Sequence, residues 1–158
     1  MKKAAIAIAT LVAALGLFQL LAGPDAGAAP LPGRTPTDLT FTEGVCGDPG
    51  SFCKTTGKPV AFGTRLVFRI PLTTAGTKIG YEEGECVNLT KNSHSNYCTY
   101  NLHLADGTLA LQGTLPYDTD AGGTIPVIGG TDAYLGAYGT LTFLDAGSFD
   151  YGLQVMTP

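Results

Sequence analysis

The sequence predicts an all-β domain, a closed barrel or a sandwich, behind a secretory signal peptide. Three observations carry that prediction. About eight short segments alternate apolar with polar residues, separated by Gly, Asp, Asn and Pro turns at regular spacing. No helical period follows the first 28 residues. Four cysteines, an even number, sit in a chain that starts like an exported one.

The start of the chain has its own logic. Met1-Lys2-Lys3 is a positive n-region, Ala4 to Ala22 is apolar, and small residues follow at Ala26-Gly27-Ala28-Ala29. That order is a signal peptide, residues 1–28, cleaved near Ala28. An uncleaved membrane anchor is the alternative, but Gly16, Gln19 and Gly23-Pro24 favour cleavage and a secreted product. The whole chain carries 9 basic and 13 acidic residues, a charge of −4, and loses Lys2, Lys3 and Asp25 on cleavage. An acidic domain lacks the cations that displace counterions from nucleic acid or an anionic membrane, so neither is an expected partner. Trp is absent, but the full chain has seven Tyr and seven Phe, so aromatic lining for a cavity is available.

Residues 29–36 hold three prolines in eight positions and read as an extended leader to a single domain over 37–158. The first strand is expected from Thr37 to Val45, with Leu39, Phe41 and Glu43 on one face. Cys46 to Pro59 reads as a loop pinned by its own disulfide. Phe62 to Leu72 alternates, with Phe62, Thr64, Leu66, Phe68 and Ile70 on one face and Arg65 and Arg69 on the other. Lys78 to Leu89 is interrupted by Gly80 and Gly84, which suggest bulges or curvature. Asn96 to Ala105 puts Cys98, Tyr100, Leu102 and Leu104 on one face. Asp106-Gly107 signals a two-residue hairpin into Thr108 to Leu115. Ile125 to Ile128 and a strand ending at Phe143 flank Gly129-Gly130, read as a tight reversal using positive φ, and Ser148 to Met156 is the last strand.

The chemistry candidates are few. The glycine-rich stretch is no phosphate loop, because no Lys-Ser/Thr follows and the next segment is strand-like. Of three disulfide connectivities, the local one is favoured: Cys46–Cys53 around Gly47-Asp48-Pro49-Gly50, and Cys86–Cys98 on two neighbouring strands. Zinc is disfavoured because no Cys-x2-Cys chelate is present beside His94 or His103. Glu82, Glu83 and Glu85 read as a solvated strand face, since no calcium-binding loop accompanies them. Asp118, Asp120 and Asp132 read as turn residues. His94 and His103 lack a nucleophile motif, which leaves a hydrolase triad without support. Glu43 stands out. A carboxylate in the inward phase beside Phe41 and Leu39 would have its charged form disfavoured, which suits acid–base work.

The order of segments carries more than any one of them. Phe62-Gly63-Thr64, Pro71-Leu72-Thr73, Lys78 to Gly84, Asp106 to Leu109, and above all Ile125-Pro126-Val127-Ile128-Gly129-Gly130-Thr131-Asp132-Ala133-Tyr134-Leu135-Gly136-Ala137-Tyr138-Gly139 resemble the allene oxide cyclase barrel superfamily, which includes dirigent proteins. The resemblance spans about residues 38–156. It implies an eight-stranded antiparallel barrel with a mostly apolar cavity. Such a barrel steers a small hydrophobic molecule into one cyclised, isomerised or coupled product without a cofactor. Glu43 matches a first-strand carboxylate, Cys86 a pocket cysteine and Tyr117 a tyrosine ahead of the glycine turn. The resemblance thus implies Glu43 and Tyr117 as catalytic candidates and Phe41, Phe68, Asn88 and Tyr100 as pocket lining, with no metal and a homo-oligomer as partner. Val45, Ile70 and Tyr138 depart from the family pattern at polar pocket positions. A non-catalytic carrier or structural barrel is the competing reading.

Overall fold

The computed structural model describes residues 33–58, 61–91, 95–116, 123–144 and 149–158. The expected signal peptide, residues 29–32, Tyr117, Asp118, Asp120 and His94 lie outside the described residues.

Nine strands follow one another: β1 (Thr35–Glu43), β2 (Phe52–Thr56), β3 (Arg65–Thr74), β4 (Thr77–Asn88), β5 (Ser95–Leu104), β6 (Gly107–Pro116), β7 (Thr124–Gly130), β8 (Tyr138–Phe143) and β9 (Asp150–Thr157). A short 3-10 turn, Asp132–Tyr134, lies between β7 and β8. From β3 to β9 each strand pairs antiparallel with the next, and β9 pairs with β1 along eight residue pairs. The sheet closes where Thr42 and Glu43 pair with Thr73 and Leu72 of β3. β2 then takes up the rest of the same β3 edge, from Phe52 opposite Arg69 to Thr56 opposite Arg65. Two short strands in series therefore act as one stave of an eight-stave antiparallel barrel. The β1–β3 pairing closes the meander on itself, and among the described residues β2 pairs on one side only, with β3.

Several sequence expectations shift. Residues 46–59 are not all loop, because β2 lies inside them, tied to the β1–β2 connection by Cys46–Cys53 with Cα atoms 5.7 Å apart. β1 starts at Thr35, so the last two residues of the expected leader join the sheet, and it stops at Glu43 rather than Val45. Phe62 and Thr64 precede β3, and Phe62 is 71% exposed rather than inward. Gly63 at φ 79° turns the chain there, its N–H donating to the Asn88 carbonyl. The bulge expected near Gly80 is present: Leu72 pairs with Gly80 and Thr73 with Lys78, leaving Ile79 as the extra residue. At Gly84 the register runs on unbroken.

The glycine pair also has a different task from the expected one. Gly129 and Gly130 lie in β7, and neither has positive φ. The reversal is made later, by Asp132 at φ 53° and Gly136 at φ 70°, with the Tyr134 N–H donating to the Thr131 carbonyl at 2.9 Å. A Cβ on Gly130 would come within 2.6 Å of the Thr108 and Tyr134 carbonyl oxygens. The corner needs Gly130 for close backbone approach, and the buried Tyr134 plugs the barrel beneath it.

Inside, the alternation separates two halves. Toward the end that carries the β3–β4 and β5–β6 hairpins and the 131–137 corner, Leu72, Leu102, Leu109, Val127, Leu153 and Val155 are all buried. Burying an aliphatic side chain of this size contributes roughly 1.5–3 kcal/mol. Toward the other end the inward positions turn aromatic and polar: Phe41, Glu43, Phe68, Glu82, Tyr100, Phe143 and Tyr151.

Candidate functional site

β4 supplies the residue that the sequence reading misplaced. Glu82 is 4% exposed and faces the barrel interior, not solvent. Strand parity explains it: Gly80, Glu82, Gly84, Cys86 and Asn88 share one face, and Glu83 and Glu85 share the other. Glu82 pairs in register with Ile70 on one side and Leu102 on the other, both buried, so water cannot solvate its charge. The expected solvated face does exist at the outward residues. Glu85 pairs with Arg65, and Glu83 accepts a bond from His103 Nε2 at 3.1 Å, with Arg69 3.9 Å away. His103 stacks on Tyr81 with ring centroids 4.4 Å apart, and Thr108 Oγ1 lies 3.3 Å from its Nδ1.

Glu43 ends β1 on the far side of β3, half-buried and inward, as its alternation predicts. The two glutamates approach each other over β3, Glu43 acting on Glu82 both by its charge and through its carboxyl group. Burial above all, then the charge and the carboxyl group of Glu43, push Glu82 well above the usual carboxylate range. Burial thus favours the neutral, protonated form of Glu82.

Tyr151 and Tyr100 complete the cluster. Tyr151 on β9 lies beside Glu43, and burial, reinforced by the Glu43 charge and the neighbouring carboxyl, raises its phenol. Tyr100 on β5 is raised well above its ordinary value by burial first, then by the charges of Glu82 and Glu43. Both phenols thus stay neutral hydrogen-bond donors. Gly84 sits between Phe68 and Tyr100 in register, and a Cβ there would overlap the backbone of Thr99 and Tyr100. The bare glycine lets the Phe68 and Tyr100 rings meet across β4, centroids 6.1 Å apart. On the opposite wall Phe41 stacks on Tyr151 at 5.6 Å, and Phe143 tilts against the same ring at 4.6 Å.

Of the expected site residues, the fold thus brings Glu43, Phe41, Phe68 and Tyr100 to one end of the interior. Asn88, also buried, ends β4, and its Oδ1 accepts a bond from the Thr90 N–H at 3.1 Å. Cys86 is bonded to Cys98 directly opposite it, Cα atoms 4.1 Å apart, and so offers no free thiol. Cys46 and Cys53 form the other disulfide. Sequence reasoning missed Glu82 and Tyr151. A signal for Glu82 was present, because a bridge between Cys86 and the inward Cys98 fixes the parity of Glu82 as inward. Among the described residues no group of three or more metal-ligating side chains is assembled. A depression of about 330 Å³, lined by Thr40, Phe41, Thr42, Thr74, Ala75, Leu144 and Asp150, opens beside β1, and Glu43 is not among its lining residues.

The family model for the allene oxide cyclase barrel like domain matches residues 69–152, more than half of the chain. The chain belongs to this family. Solved structures repeat the barrel. A pyocyanin demethylase is 24% identical with a TM-score of 0.62, covering 75% of this chain and 99% of its own. A pterocarpan synthase dirigent protein is 19% identical with a TM-score of 0.62, covering 78% and 88%. An exo-specific intermolecular Diels-Alderase is 14% identical with a TM-score of 0.53, covering 77% and 98%. At these identities the allene oxide cyclase-like barrel shares its fold with all three, and no more is transferred. A search of curated protein sequences finds no match.

Proposed function

We propose that this allene oxide cyclase-like barrel is a secreted protein that binds a small hydrophobic molecule at its aromatic, polar end. There it guides a cyclisation, isomerisation or stereoselective coupling without a cofactor. The observation that carries the proposal is the buried Glu82 brought beside Glu43 across β3, among buried aromatic rings. Glu82, protonated, would donate to a developing oxyanion or leaving group, and Glu43 would accept a proton, with Tyr151 beside its carboxylate. Tyr117 would add a hydrogen bond to the ligand. Relatives of this fold are named for a demethylation, a pterocarpan synthesis and a Diels–Alder reaction. One barrel thus hosts different reactions, and the reaction class must come from the site. The two disulfides support an oxidising, extracellular location.

The test is to screen the mature protein against small phenolic, polyene and heteroaromatic compounds, following binding and the stereochemistry of product by chiral chromatography. Binding with a selected product in the wild type, and binding without product in Glu43→Gln, supports the proposal. Unchanged product in Glu43→Gln removes the acid–base role. The second reading, a non-catalytic carrier, draws on the depression beside β1, which takes no part in the carboxyl pair. Binding that follows substitutions at Thr42 and Thr74 but not at Glu43 and Glu82 would favour it.

A further inference from the structure

We propose that the site selects its ligand by charge: it takes a planar aromatic molecule that is neutral or cationic, and it excludes organic carboxylates and phosphates. This rests on the reading of the polar end as a ligand site and names what that site accepts. Among the described residues, the inward titratable groups there are Glu43, Glu82, Tyr100 and Tyr151, all of them acids. Every described Lys or Arg lies elsewhere. Arg65 and Arg69 face outward from β3, bound to Glu85 and Glu83, with Arg69 also 3.9 Å over the Tyr81 ring. Arg34 packs 5.6 Å over Tyr138 at the corner end, and Lys54, Lys58, Lys78 and Lys91 are exposed. His103 is turned outward onto Glu83.

An anion entering this end would therefore lose its water and meet carboxyl groups, with no Lys or Arg among the described residues in reach to offset the loss. A neutral ligand avoids that loss. A cation gains twice, from the Glu43 carboxylate and from the negative ring faces of Phe41, Phe68, Tyr100, Phe143 and Tyr151.

Three tricyclic probes of matched shape test this: acridine, N-methylacridinium and acridine-9-carboxylate, titrated by fluorescence at pH 7.5 in 0.1 M and 0.5 M salt, conditions that screen surface charge to about 10 Å and below. The expected result is that the cation binds at least tenfold tighter than the anion at both salts, with acridine between them. The double variant Glu43→Gln/Glu82→Gln should lose that preference while keeping its circular dichroism, and the outer control Glu83→Gln/Glu85→Gln should keep it. An anion that binds as tightly as the cation overturns the inference, as does a preference that salt or the outer variant abolishes. Absence of binding by all three probes overturns the ligand-site reading itself, and the charge selection with it.

Discussion

The corner end and the polar end of the barrel are made by the same meander and the same alternation, yet they bury opposite kinds of side chain. At the corner end, Leu102 on β5 pairs with Leu109 on β6, both fully buried, and the buried Tyr134 packs against Gly130. Directly opposite Leu102 on the neighbouring strand, where the two halves meet, the same inward parity delivers Glu82 and, across β3, Glu43. One half of the interior holds the barrel together by dispersion and apolar burial. The other half gives up some of that stabilisation to bury one carboxyl beside another. A surplus of stability at one end allows a destabilised arrangement at the other.

Substitutions can break that contrast. The largest effect is expected in the apolar half: Leu102→Ala should destabilise by about 2–5 kcal/mol in denaturant unfolding, because the barrel cannot collapse onto the cavity. Next comes the Cys86–Cys98 bridge between β4 and β5. Replacing both by Ser should cost about 3 kcal/mol, read as a lower unfolding midpoint, with the loop closed by the bridge setting the scale. At the polar end the sign reverses. Glu82 has a folded-state pKa above its unfolded value, so the native state binds more protons, and stability falls as pH rises from the unfolded carboxylate range, roughly pH 4, toward the folded value. Glu82→Gln carries no such dependence. It should raise the melting temperature at pH 7.5 by a few degrees, roughly 1–2 kcal/mol, and the gain should vanish near pH 4. A Glu82→Gln protein that is less stable at pH 7.5 would count against the buried acid. The smallest effect belongs to the outer face. Arg65→Ala, which breaks an exposed pair with Glu85, should change stability by less than about 1 kcal/mol and less still in high salt.

Much of this molecule was legible from its residues, and the losses have physical causes. Alternation placed Phe68, Ile70, Cys98, Tyr100, Leu102 and Glu43 on the inner face, because closure buries one face of every strand. The local pairing of the four cysteines followed from strands joined in sequence. β2 escaped notice because its five residues, Phe52 to Thr56, are mostly exposed and form a strand only through the β3 edge that β1 leaves free. Gly130 was misjudged because a glycine needed for close approach and one needed for positive φ look alike in a sequence. Glu82 was hidden by composition. Three glutamates in four residues suggest water, but parity sends the first one inward and the other two out.

The central claim is that Glu82, beside Glu43, keeps its proton at the polar end. Nuclear magnetic resonance of protein labelled with carbon-13 at the glutamate carboxyl carbons, titrated from pH 3 to 9 with Glu82→Gln and Glu43→Gln used for assignment, tests it directly. The account predicts that the Glu82 carboxyl stays protonated at pH 7 and that its titration shifts downward in Glu43→Gln. Both carboxyls titrating independently near the ordinary glutamate value, about 4.3, would contradict it.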